Sequence, residues 1–384
     1  MKSYNIIDLD GYPNRFLSLL GLVAFIGINL LLPSYFNGFS GEVIRFQSFA
    51  DLVDNPGAHA SLELRQTHPA FAKRIVLTAP LDFLTNRLGF PLQATFTFIN
   101  LMALLGCCLL LMRLSTAWYH ARGDARFVGV WMFLWSLPVL FAFTGFTSSY
   151  DDFLQYATIL GMFLAHHRKQ WGLTAALFTL GLLIRETSII FALPLLVRGN
   201  GLAHYQRIFL IGLPILVFGG IFLVIGDNVA AESYLLNDRF DHLRINVGTI
   251  RNTILTLFTM LLVLVLPILG CLRQKDSNFR AKTILLLIAI NTLLVFFTAI
   301  VKESRLIFLP CLLFLPGAFQ SFGFRPVFPS WWDFLKLVAI GLLVFFIFIP
   351  NEGSSTPFYQ LYAAVAFLFL LNPKWYNPPQ SVDS

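Results

Sequence analysis

The sequence predicts an all-α, polytopic bundle of about 10–12 transmembrane helices. Composition is the first reason. Of 384 residues, 57% are hydrophobic and 12% charged, about half the roughly 25% charge of soluble domains. A water-facing coat cannot be built from so few polar groups, which excludes a soluble globular enzyme. A disordered chain needs the opposite balance. The second reason is the length of the apolar runs, which suits helices of about 20 residues. The alternating segments of about ten residues that mark an outer-membrane barrel do not occur. The third reason is where the charges fall: between the runs, and unevenly.

The first span is predicted at about 16–35. Lys2 and Arg15 precede it and no clear cleavage site follows, so it reads as an uncleaved helix that also targets the chain. A polar stretch, 36–89, follows. Within it, 44–54 and 69–87 have amphipathic helical spacing and read as helices lying on the membrane surface. The second span is placed at about 90–112, followed by a basic loop with Arg113, Arg122 and Arg126. The third, about 127–146, ends in a polar turn from Thr147 to Asp152. The fourth, about 153–166, is closed by His166, His167, Arg168 and Lys169, which read as a topogenic basic cluster.

The apolar stretch 171–197 is interrupted by Arg185 and Glu186. It is either one long helix with an ion pair at its middle or two short helices that turn at Arg185. The second keeps charge away from the bilayer centre, where each ionised residue costs at least about 2.5 kcal/mol. Further spans are predicted at about 208–225, 252–272, 283–301, 306–321, 335–350 and 357–371. Residues 1–372 then form a single integral domain, and 373–384, rich in proline, form a loose tail. Cys107, Cys108, Cys271 and Cys311 lie in or beside apolar runs without a CxxC pair, and read as small packing residues.

With both termini inside, 16 of the 27 basic but only 6 of the 20 acidic residues fall on the inner side. That obeys the positive-inside rule and explains the net charge of +7 without nucleic acid. The outer side then gathers Glu42, Asp51 and Asp54; Tyr150, Asp151 and Asp152; Arg185 and Glu186; and Lys302, Glu303 and Arg305. Several of these join short apolar helices with almost no loop, where Gly, Asn or Ser is the usual choice. Such charges point to a polar cavity open to the outside, although Arg185 pairing only with Glu186 or Asp151 is the plainer alternative. Carboxylates beside Arg and Lys suit a phosphate-bearing substrate: the cations hold phosphate oxygens and a carboxylate takes the proton of an acceptor hydroxyl.

The order of these features resembles the GT-C superfamily of integral membrane glycosyltransferases. Glu42 follows Gly41 soon after the first span. Phe46, Phe49 and Ala50 open the first surface helix, and His68 and Pro69 the second. The run WGLTAALFTLGLLIRETSIIFALPLL, 171–196, is similar to a second pattern of that group, a glycine-containing helix that ends in a basic residue, here Arg185, before a short proline-containing helix returns. The resemblance covers roughly residues 10–200; later only the helix count and KESRLIFLP, 302–310, agree with it. It implies a polyprenyl-phosphate-sugar donor, a glycan, lipid or protein acceptor, and a site on the outer face of a bacterial-type inner membrane. Glu42 would be the base with Asp151 or Asp152 assisting. Arg185, Lys302 and Arg305 would bind the donor phosphate, with Glu186, Glu303, Tyr150 and His68 lining the substrate site.

Glu42 stands where Asp is commoner in that superfamily, a paired acidic-aromatic motif is missing, and no large soluble domain is expected within 1–384 after the helices. Asp51 or Asp54 therefore stay open as bases, and Asp151 with Asp152 as the acid pair. No cofactor or metal site is predicted; metal dependence of the transfer stays open. Glu42→Gln or Arg185→Ala is expected to abolish transfer in a protein that still inserts and folds. Two other functions fit less of the chain. A transporter or flippase for lipid-linked or anionic substrates would also place Arg and carboxylates in a cavity, but no inverted repeat is evident. An O-antigen polymerase or ligase would use a late outer loop, here 226–251 with Asp238, Arg239, Asp241, His242 and Arg244.

Overall fold

In the computed structural model, the structure describes residues 80–121, 125–134, 136, 139, 146–196, 203–226, 237–248, 250, 268, 278–298 and 305–321. These are almost wholly helical, with no strand among them. A turn of π-helix, Phe83–Arg87, leads to α1, Leu92–Tyr119. Pro91 stands just before α1, where its missing N–H costs nothing. α2 spans Ala125–Leu134, α3 Phe146–His167 and α4 Trp171–Ile184. A 3₁₀ turn, Glu186–Phe191, runs into α5, Ala192–Leu196. α6 is His204–Gly226, α7 Asn237–Gly248, α8 Asn278–Thr298 and α9 Arg305–Phe308, which continues as 3₁₀ turns to Ser321.

Two described helices hold stretches long and apolar enough to cross a membrane, Phe98–Tyr119 in α1 and His204–Ile221 in α6. Only 11% of the second stretch is buried, the reverse of a soluble core helix. Each helix also shows apolar side chains on its outer face. Phe98 is 64% exposed and Leu216 74%, and Leu293 of α8 is 61% exposed. Faces of that kind match hydrocarbon rather than water.

Side-chain contacts fix the directions of the helices. The Cys107 thiol of α1 donates to the Phe153 carbonyl of α3 at 3.4 Å. Further along, the Trp118 and Phe163 rings meet edge to face at 5.9 Å. α1 and α3 are therefore parallel. α2 packs against α1 and the turns at Leu315–Ser321, and its Phe133 ring meets Tyr156 of α3 at 6.3 Å. α4 descends antiparallel to α3, Leu177 packing over Gly161. After Arg185 the chain turns and climbs α3 again, so that Phe191 reaches Phe163 at 5.9 Å. The stretch 171–196 is thus a hairpin of two short helical pieces that begins and ends at the same end of the bundle.

Several predicted boundaries are corrected. The third span does not run from 127 to 146: α2 stops at Leu134 and the chain bends at Ser136, whose hydroxyl donates to the Phe133 carbonyl at 2.7 Å. The polar turn expected at Thr147–Asp152 is helix, and α3 begins at Phe146. Arg113, placed in a loop by the sequence, lies inside α1, which continues to Tyr119. Part of the loop 226–251 is the helix α7. The span 306–321 has only one α-helical turn. Pro310 and Pro316 each lack the N–H that a continuous helix needs, and residues 307–318 form a fully buried strap that is mostly 3₁₀ after Phe308. The predicted spans 16–35, 335–350 and 357–371, nearly all of 252–272, the surface helix 44–54, most of 69–87 and the tail 373–384 lie outside the described residues.

Candidate functional site

Asp151 and Asp152 lie in the second turn of α3, and Gln155 lies one turn on from Asp151. Spacing of three to four residues puts Asp151, Asp152 and Gln155 along one side of the helix. That side meets the tip of the 171–196 hairpin. The tip is Arg185, with an extended backbone, φ −154° and ψ 125°. Its N–H still closes α4 by donating to the Gly181 carbonyl at 2.9 Å. Its own carbonyl accepts from the Ser188 N–H at 3.0 Å. The Ser188 hydroxyl donates back to the Gly181 carbonyl at 2.9 Å. Interrupting a helix inside an apolar bundle requires this kind of re-satisfaction of backbone groups.

The Arg185 side chain bridges the two acids. Nε pairs with Asp151 Oδ2 at 3.2 Å, and Nη1 donates to Asp152 Oδ1. Both carboxylates are completely buried and the arginine is 6% exposed. Glu186 and Tyr156 lie within electrostatic range of the guanidinium; Glu186 is exposed and Tyr156 buried. Gln155 Nε2 donates to Thr187 Oγ1 at 3.0 Å and to Ser188 Oγ at 2.8 Å, which clamps the tip to α3. Gln155→Leu removes two hydrogen bonds and is expected to cost about 1–3 kcal/mol. Thermal unfolding in detergent measures it; an unchanged midpoint would mean that the clamp holds nothing.

Depth is set by helical rise. Asp152 is 15 residues before His167 in α3, roughly 22 Å at about 1.5 Å per residue. A hydrocarbon core is about 30 Å thick. The charges meet at the tight turn at Arg185, as their spacing in the sequence suggests, but that turn is packed inside the bundle. The cluster lies alongside Cys107, near the middle of the apolar stretch of α1. Ionised groups so placed are tolerated only when paired and packed away from lipid. With all three charged the cluster carries a net charge of −1.

Of the predicted site residues, the structure brings together Asp151, Asp152 and Arg185, with Glu186 next in chain. Tyr150 lies in α3 one residue before Asp151, and Arg305 opens α9 one turn before Phe308. The Phe308 ring packs against Tyr156 at 6.2 Å, so α9 begins close to the cluster. The side chains of Tyr150 and Arg305 are outside the description, as are Glu42, Asp51, Asp54, His68, Lys302 and Glu303. Among the described residues no three His, Cys, Asp or Glu side chains are placed to hold a metal ion. Cys107, Cys108 and Cys311 are buried free thiols. Sequence reasoning missed Gln155, Thr187 and Ser188. A signal was present: Gln155 is an amide inside an apolar run, four residues after an acid. No family model, curated protein or solved structure matches the chain.

Proposed function

We propose that the protein is a polytopic membrane glycosyltransferase of GT-C-like fold, using a polyprenyl-phosphate sugar on the outer face of a bacterial-type inner membrane. The observation that carries the reading is the buried Asp151–Asp152–Arg185 cluster at the tip of a helical hairpin. It gathers two carboxylates and a cation, the groups that a transfer with a phosphate leaving group calls for. Orientation is supported by Arg113, Arg126, Arg168, Lys169 and Arg207, which all lie toward the end of the bundle opposite the hairpin tip. The positive-inside rule puts that end in the cytoplasm and the cluster in the outer half.

In this reading Glu42 takes the proton of the acceptor hydroxyl. The acceptor oxygen bonds to the anomeric carbon as the bond from that carbon to the phosphate oxygen breaks, and polyprenyl phosphate leaves. Asp151 or Asp152 assists. Arg185 is already shared by two carboxylates, so it offers phosphate only its remaining N–H groups. Lys302 and Arg305 carry most of the phosphate charge, and Glu186, Glu303, Tyr150 and His68 line the sugar. No cofactor is assigned.

The test is turnover of a panel of polyprenyl-phosphate sugars by the purified protein in nanodiscs, following release of polyprenyl phosphate. Glu42→Gln is expected to lower release by about 10²–10⁴-fold, the usual worth of a general base. Equal rates in both proteins would remove Glu42 from the chemistry. One observation favours a second reading, a transporter of lipid-linked or anionic substrates: the chain is broken at Arg185 inside the bundle beside buried ions, as in many carriers. Saturable movement of lipid-linked sugar across the bilayer without release would decide for it.

A further inference from the structure

Buried polar side chains in the described helices find partners almost everywhere. Thr95 Oγ1 donates to the Pro91 carbonyl and Ser115 Oγ to the Leu111 carbonyl. Asn246 Nδ2 donates to the Phe296 carbonyl and Asn291 Nδ2 to the Ile307 carbonyl. A few others, such as Arg207, leave one polar atom unmet, but only Asn100 among the described residues leaves every polar atom of its side chain so. It is completely buried, and neither Oδ1 nor Nδ2 meets a hydrogen-bond partner among the described residues. A buried amide left so bears its full desolvation cost with no return. Groups of that kind in native proteins call for an explanation, commonly a functional one.

Its place suggests the explanation. Asn100 shares the buried face of α1 with Ala103, Leu104 and Cys107. Cys107 is level with Phe153, next to Asp152. Asn100 is seven residues earlier, roughly 10 Å nearer the end where α1 and α3 begin. An amide presents one acceptor and two donor hydrogens, and a hydroxyl group both donates and accepts. We propose that Asn100 binds a hydroxyl group between that end of the bundle and the Asp151–Asp152–Arg185 cluster. The hydroxyl comes from the sugar of the lipid-linked donor or from an ordered water; only the first source rests on the transferase reading.

The experiment uses two full-length variants in nanodiscs. Asn100→Leu replaces the amide with an apolar group of similar shape. Its thermal midpoint without donor is expected at or above that of wild type where the sugar is the source, because the amide is then unmet, and below it where an ordered water already meets the amide. Asn100→Cys is expected to gain one adduct over wild type, read by intact mass, with a small cationic methanethiosulfonate reagent. No added adduct overturns the proposal, and an adduct with a midpoint below wild type for Asn100→Leu assigns the hydroxyl to water. With an adduct and a midpoint at or above wild type, the midpoint rise caused by a polyprenyl-phosphate sugar tests the sugar. Loss of that rise in Asn100→Leu assigns the hydroxyl to the sugar, and its retention overturns the proposal. If wild type shows no rise with any donor, the transferase reading fails while midpoint and labelling still decide the role of Asn100.

Discussion

Arg185→Met is expected to destabilise the protein by about 3–5 kcal/mol, the usual cost of removing one partner from a buried ion pair. The reason is what stays behind. Asp151 and Asp152 are both 0% exposed, and without the guanidinium two adjacent carboxylates face each other in an apolar bundle. Asp151→Asn should cost less, because it leaves one acid with one base. The triple variant Asp151→Asn, Asp152→Asn, Arg185→Met removes all three charges and is expected to regain most of the loss, since apolar or neutral replacements of whole buried clusters are often tolerated. Thermal or denaturant unfolding of the three variants in detergent measures the set. An Arg185→Met midpoint equal to wild type would mean that the cluster is hydrated and not tightly paired. The consequence for enzymology is direct. Arg185→Ala, expected from sequence to leave folding intact, combines a folding defect with any catalytic one, so Glu42→Gln is the cleaner probe.

Gly129→Ala is expected to destabilise by about 1–3 kcal/mol, the cost of overpacking a tight core. A methyl group at Gly129 would run into the carbonyl oxygen of Leu315, far inside van der Waals contact. That oxygen is backbone in a wholly buried strap held between Pro310 and Pro316, so it cannot swing aside as a flexible side chain would. The sign is informative. In an exposed helix the same substitution gains up to about 1 kcal/mol of helix propensity. A higher midpoint for Gly129→Ala would show that the strap is not seated against α2.

Helix positions were more legible in the sequence than helix ends. α1, α3, α6 and α8 lie where apolar runs put them, because hydrocarbon-length runs have few other uses. The errors are at prolines and at polar helix starts. Thr147–Asp152 looks like a turn by composition, yet its acids are neutralised by a residue 33 positions later, which no local pattern reveals. The strap 307–318 has the composition of a span, but its two prolines spoil continuous helix, and burial on all sides compensates. The break at Arg185 was one of two readings; Gly181 and Ser188, which close it, carry no signature until the backbone bonds are known. Of the site, sequence supplied the charges, whereas their depth needed the packing of α3 against α1.

The 33 residues that separate Asp152 from Arg185 also bear on how the chain is made. During synthesis the acids of α3 leave the ribosome before their counter-charge exists. In a bilayer each ionised group at the centre costs at least about 2.5 kcal/mol on its own. α4, at 14 residues and roughly 21 Å, is too short to cross alone and ends on a cation. Each segment thus supplies the charge that balances the other in the apolar bundle. On the proposed membrane reading, α3 and the hairpin are therefore expected to insert together as one unit.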